Sequence, residues 1–164
     1  MKKKYTKNNT KLINTIIIIG IICLIISLVI MLKNNKKIDN HIVSIDYNKY
    51  SELINEDKYN IILFTTPTCS HCKNYKPSVN QVCDKYNLVV YDLDISKLSY
   101  EEYILIHDNY NATKDNYIND NPSILTPTTI ITKNGEEIYS ISNNLGYTGF
   151  IELLKTYEII KEWN

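Results

Sequence analysis

Two cysteines spaced Cys69-x-x-Cys72 lie within Thr66-Pro67-Thr68-Cys69-Ser70-His71-Cys72, between the apolar run Ile61-Ile62-Leu63-Phe64 and a stretch of helical periodicity. The run reads as a buried strand, so the pair falls at a strand-to-helix junction, the setting of a dithiol–disulfide centre. At a helix N-terminus the first amides lack partners and the dipole end is positive, which stabilises a thiolate. A thiol placed there is nucleophilic near neutrality. Cys69 is the expected nucleophile, and Cys72, one turn further on, is close enough to form a disulfide with it. His71 adds an imidazole that can stabilise the Cys69 thiolate by charge or hydrogen bonding, and Ser70 shares that tuning position. A stabilised thiolate favours the dithiol and makes the disulfide more oxidising.

Zinc is the competing reading of such a pair. A structural zinc site needs four ligands, and the residues left over, Cys83, His41, His71 and His107, stand at no metal-binding spacing. No metal and no cofactor beyond the cysteines is expected. Cys83 falls on the apolar stripe of its helix and reads as core filling. His41 and His107 read as surface residues, and Asp92 and Asp94 as solvent-facing carboxylates at a strand end.

The elements that must position the pair follow from periodicity. Ile42–Ile45 is a short strand. Asp46 caps a helix with Tyr47, Tyr50, Leu53 and Ile54 on one face. After the strand at 61–65 and the cysteines comes a helix with Tyr75, Val79, Val82, Cys83 and Tyr86 on one stripe, interrupted by Pro77. Residues 88–95 form a third strand. Ser99-Tyr100-Glu101-Glu102 is a capping box that opens a helix to about His107. Residues 108–126, rich in Asn and Asp, show no period and read as a long loop with room for one helical turn. Strands at 128–132 and 136–141 flank Asn134-Gly135, a strong hairpin signal. Gly146 ends that unit, and a final helix spans about 148–160.

The chain contains no arginine and one alanine, with heavy use of Lys, Ile, Asn and Tyr, a composition expected of an AT-rich, low-GC bacterial genome. Residues 1–37 carry eight lysines and no acid, whereas residues 38–164 carry ten lysines and eighteen acids. A domain that acidic argues against nucleic-acid binding. Residues 12–32 are almost wholly apolar, long enough for a helix spanning a bilayer core of about 30 Å. Lys2, Lys3, Lys4, Lys7 and Lys11 precede the run, and Lys33, Lys36 and Lys37 follow it. That excess places the N-terminus in the cytoplasm and the domain outside the cell membrane. A cleaved signal peptide is the alternative. No small-x-small site follows, however, and the run is long for a signal core. Ile22 before Cys23 also lacks the small side chain a lipoprotein site needs. The expected organisation is a basic tail at 1–11, a single-pass anchor at 12–32, a tether at 33–41 and a domain at 42–164.

The order β-α-β-α-β-α-β-β-α resembles the thioredoxin superfamily over residues 42–162. Cys69-Ser70-His71-Cys72 matches its C-x-x-C. Lys73 and Pro77 match the lysine and the helix-kinking proline that follow. Thr126-Pro127-Thr128 with Lys133-Asn134-Gly135-Glu136 matches the cis-proline loop and its hairpin. The resemblance implies an α/β fold with a central mixed sheet flanked by helices. It also implies a cis Thr126-Pro127 bond facing Cys69, with the Thr126 backbone free to pair with an extended substrate. Departures are visible: Leu63 stands where thioredoxins proper carry a buried Asp, Thr68 stands in place of Trp, and Asp92 replaces the paired Lys. The span to the proline is also longer. Thr65-Thr66-Pro67-Thr68-Cys69 is similar to glutaredoxin-like branches. His71 occupies the position where periplasmic dithiol oxidases and protein disulfide isomerases also place His. A tethered domain of this kind resembles bacteriocin-transport accessory proteins.

The expected function is a membrane-anchored thiol–disulfide oxidoreductase, with His71 favouring an oxidase or isomerase over a reductase. Its expected partners are exported or membrane proteins with thiols or disulfides, together with a redox partner. The alternatives are a non-catalytic accessory module for peptide export and a metal carrier.

Overall fold

β2 (Asn60–Thr65) is buried along its whole length, and its alternating side chains supply two separate cores. Ile61 and Leu63 point into one cluster, and Ile62 and Phe64 into the other, as the two-residue period of a strand requires. The first cluster is closed by α2 (Ser70–Tyr86) and α4 (Gly146–Thr156) through Tyr75, Val79, Val82, Phe150 and Leu154. The second is closed by α1 (Tyr47–Ile54) and α3 (Tyr100–Asn109) through Tyr50 and Ile106, joined by Tyr110 just beyond α3.

In this computed structural model, which describes residues 13–14, 16–27 and 40–161, the remaining elements complete one mixed sheet. β1 (Ile42–Ile45), β3 (Val90–Asp94), β2, β6 (Thr128–Lys133) and β7 (Glu136–Ser142) lie side by side in that order. The first three are parallel, and β6 and β7 continue antiparallel. Local chemistry sets the joints. Asp46 accepts from the Lys49 amide at 2.8 Å to cap α1. Ser99 and Glu102 form the capping box of α3. Asn134 and Gly135 both take positive φ (53° and 78°) in the β6–β7 turn, the geometry that Asn-Gly supplies in a two-residue hairpin.

The N-terminal part forms a separate unit that ends before Asn40. Its described residues, 13–14 and 16–27, are helical with exposed side chains. Among the described residues, no helix is long and apolar enough to cross a membrane. The expected span of 12–32 reaches beyond them, and the basic tail and residues 33–39 of the tether lie outside them altogether.

Several expectations are corrected. Residues 108–126 hold more than a loop with a helical turn: α3 runs on to Asn109, and β4 (Tyr117–Ile118) pairs with β5 (Asn121–Pro122) in a small hairpin. Gly146 does not end the preceding unit. With φ of 64° it opens α4, which closes at Thr156. His41 and His107 are buried rather than superficial, because each has a backbone carbonyl to bond. His41 Nδ1 bonds the Leu88 carbonyl at 2.7 Å, and His107 Nε2 the Asn116 carbonyl at 2.9 Å. Asp92 is also buried, at 8 % exposure.

Candidate functional site

The chain leaves β2 at Thr65 and turns once, with the Cys69 amide donating to the Thr66 carbonyl at 3.2 Å. Cys69 is the N-cap of α2: the Cys72 amide points at its sulfur at 3.0 Å. Amides of the first helical turn otherwise lack acceptors, so this N–H is aimed where negative charge would sit on a reduced Cys69. Cys69 and Cys72 are joined in a disulfide with Cα atoms 5.3 Å apart. Cys69 is half-buried and Cys72 only 2 % exposed, so an incoming sulfur meets Cys69 first. Ser70 and His71 are both exposed on the first turn of α2.

The opposite wall is Thr126-Pro127, joined by a cis bond. Pro127 is buried, and the Thr126 carbonyl oxygen lies 3.4 Å from Cys69 Sγ. All six residues singled out from the sequence therefore converge on one end of the sheet: Cys69, Ser70, His71 and Cys72 on the helix side, and Thr126 and Pro127 on the strand side.

A polar group that the sequence reading placed in solvent lies beneath the helix. Asp92 on β3 stands beside Leu63 of β2. It accepts from Thr65 Oγ1 at 2.7 Å and from Lys76 Nζ. Lys76 follows Cys72 by four residues, so the two share a helix face. Side chains on that face lean toward the N-terminus, which carries the Lys76 stem toward Cys72. The pair borders an open cleft of about 420 Å³ lined by Asn40, Ile42, Ser44, Lys73, Pro77 and Asn80. A buried carboxylate is costly unless paired, and Lys76 meets that need. The signal that would have located it is the second lysine of the helix, four residues after the second cysteine, together with an acid on a strand next to β2.

Cys83 lies further along α2 in the core, where burial pushes its thiol up to about 12. Among the described residues no group of His, Cys, Asp and Glu side chains could hold a metal ion.

A family model described as thioredoxin matches residues 41–156. No curated protein matches the sequence. Solved structures of similar fold include thioredoxin f2 of Chlamydomonas reinhardtii, at 14 % identity over 73 % of this chain and 99 % of that one, with a TM-score of 0.56. A thioredoxin of Malassezia sympodialis shares 16 % identity over 71 % of this chain and 90 % of that one, TM-score 0.53. The thioredoxin of Schistosoma mansoni shares 18 % over 71 % and 94 %, TM-score 0.52. At such identities the likeness is one of fold.

Proposed function

The chain belongs to the thioredoxin family, and from that premise we propose that it is a membrane-anchored thiol–disulfide oxidoreductase acting on exported or membrane proteins outside the cytoplasm. The observation that carries the redox reading is the Cys69–Cys72 disulfide at the N-terminus of α2, with its accessible sulfur facing the Thr126 carbonyl. The anchor and its orientation rest on the apolar run 12–32 and on the lysine excess before it.

The chemistry balances without a cofactor. In the oxidising direction a substrate thiolate attacks Cys69 Sγ. A substrate–Cys69 disulfide forms, the Cys69–Cys72 bond breaks, and Cys72 leaves as a thiolate. The substrate's second thiolate then attacks its own mixed-disulfide sulfur and releases Cys69. Two electrons have passed to the protein, which an external disulfide must reoxidise. In the reducing direction Cys69 thiolate attacks a substrate disulfide and Cys72 resolves the mixed disulfide. The buried position of Cys72 keeps it from competing for the first step, and the amide aimed at Cys69 favours Cys69 as both nucleophile and leaving group.

The test is equilibration of the detergent-purified full chain with reduced and oxidised glutathione, followed by a turnover assay on a disulfide-bonded protein. We expect a reversible two-electron titration and turnover that Cys69→Ser reduces to the buffer blank. A protein that titrates but turns nothing over would instead be an accessory module.

A further inference from the structure

Residues 110–125, between α3 and Thr126, are fastened at the base and exposed at the tip. Thr113 is fully buried, and its hydroxyl donates to the His107 carbonyl at 2.7 Å. The Ile124 amide donates to Tyr103 Oη at 2.6 Å, and the Ala112 amide to Ser140 Oγ at 2.9 Å. From this base rises the β4–β5 hairpin, whose turn residues Asn119 and Asp120 take φ of 50° and 63°. Asn and Asp tolerate that conformation better than other side chains. The hairpin is thus a formed element, yet it leaves Tyr117 and Ile118 more than half exposed, at 56 % and 57 %. Leu125, adjacent to Thr126, is 46 % exposed. Tyr117 lays its ring edge-on against the buried His107, whereas Ile118, next on the strand and so on the other face of the hairpin, and Leu125 are large apolar side chains left open to a partner on an anchored support.

Charge indicates what makes that contact. Residues 110–125 themselves carry Asp115 and Asp120 against Lys114 alone. Distance limits where on a partner the contact falls. The four steps from Thr126 back to Pro122 span at most about 14 Å. Tyr117 lies across the ladder from Pro122, about 5 Å further. An extended peptide covers that reach in about five residues.

We infer that the β4–β5 hairpin and Leu125 form a specificity strip for the partner polypeptide at Cys69. It takes an extended segment that carries a large apolar residue within about five positions of its cysteine, with lysine or arginine beside it. The inference rests on the reading of Cys69 as the reacting sulfur. Apolar contact with the strip supplies affinity, and its acidic rim disfavours acidic segments.

The experiment uses the reduced full chain and peptides whose single cysteine is capped as a thiopyridyl disulfide. Attack by Cys69 on the peptide sulfur releases pyridine-2-thione, which is read by absorbance. Thiopyridyl-capped glutathione is the reference. The peptides carry Leu-Lys, Gly-Lys or Leu-Asp four and five positions from the cysteine. We expect the Leu-Lys peptide, relative to the reference, to react about tenfold faster than either of the others, a contact worth about 1.4 kcal/mol. In Ile118→Ser and Leu125→Ser the advantage over Gly-Lys should fall to about twofold or less. In Asp115→Lys the advantage over Leu-Asp should fall likewise. Three equal peptides, or preferences unchanged in the variants, would overturn the strip. A reduced protein inert even toward capped glutathione would instead overturn the reading of Cys69, and the inference with it.

Discussion

On one side of the site, Cys69 caps α2, the Cys72 amide points back at it, and the turn from β2 closes through Cys69 and Thr66. Every one of those contacts joins residues fewer than five apart. On the other side, Thr126 is reached through residues 110–125. These are held by Ala112 on Ser140, Asn111 on Glu137 and Ile124 on Tyr103, partners more than twenty residues away. The reacting sulfur is positioned by rules of local geometry, whereas the wall that faces it is positioned by tertiary packing. A site built this way can keep one side constant while the other is lengthened and re-anchored.

The sharpest way to break this contrast is to cut a buried contact at the base of residues 110–125. His107 is fully buried; its Nε2 donates to the Asn116 carbonyl, and its Nδ1 lies 2.8 Å from the Asp108 carboxylate. His107→Leu keeps an apolar body there and leaves a buried carbonyl without its donor, a loss of about 2 kcal/mol. We expect the denaturant midpoint to fall accordingly and discrimination among peptides to weaken more than reaction with glutathione. A loss below about 0.5 kcal/mol, within the range of ordinary surface substitutions, would show that His107 is not what holds the proline side.

The contrast also explains what could be read from the sequence. The strand before the cysteines, the Pro77 helix, the capping box at Ser99 and the Asn134-Gly135 turn all follow from short-range chemistry and could be placed directly. The β4–β5 hairpin could not. Its strands are two residues each, and its Asn119-Asp120 turn sits in a chain where Asn is common everywhere. The burial of Asp92, His41 and His107 was equally hidden. A polar side chain is buried only where a partner satisfies it, and those partners (Lys76 and Thr65, the Leu88 carbonyl, the Asn116 carbonyl) emerge only once the chain is folded.

A second comparison, within α2 itself, sharpens the first. Cys69 faces helix amides and Cys83 faces apolar side chains, so one helix favours a thiolate at its start and a thiol in its body. Burial raises Cys83 from its ordinary 9.0 to about 12. Below pH 9 both the folded and unfolded states keep the proton. Between pH 9 and about 12 the unfolded thiol loses its proton while the folded one retains it, so stability falls as pH rises. Tyr75, raised from 10.0 to about 12 mainly by burial, adds to the fall at the alkaline end. Between pH 8 and pH 10.5, the wild-type protein should lose about 2 kcal/mol more stability than Cys83→Val. Equal losses in thermal melts at the two pH values would remove Cys83 from the argument.

The smallest effect is expected at His71, which tests how far the cysteine side depends on side chains at all. If backbone amides do most of the work of stabilising the Cys69 thiolate, an exposed imidazole adds only a solvent-screened contact, worth about 0.2–1 kcal/mol. With 30 mV equivalent to about 1.4 kcal/mol for this two-electron couple, that is a shift of about 5–20 mV. The sign follows from what the imidazole stabilises. A favourable contact with the thiolate lowers the free energy of the dithiol and raises the potential, so removing it lowers the potential and makes the protein a better reductant. His71→Ala, His71→Ser and His71→Pro should all shift downward when equilibrated with glutathione. The first two test the charge, and the third also tests the backbone of the first helical turn. A fall confined to His71→Pro would assign the effect to backbone geometry. A uniform fall well beyond about 20 mV would show that the side chain outweighs the amides, and the contrast between a locally built and a remotely anchored wall would then have to include His71 as a third determinant. An unchanged or higher potential in all three would remove the reason, drawn from His71, to expect an oxidase or isomerase and leave the reducing direction as the better reading.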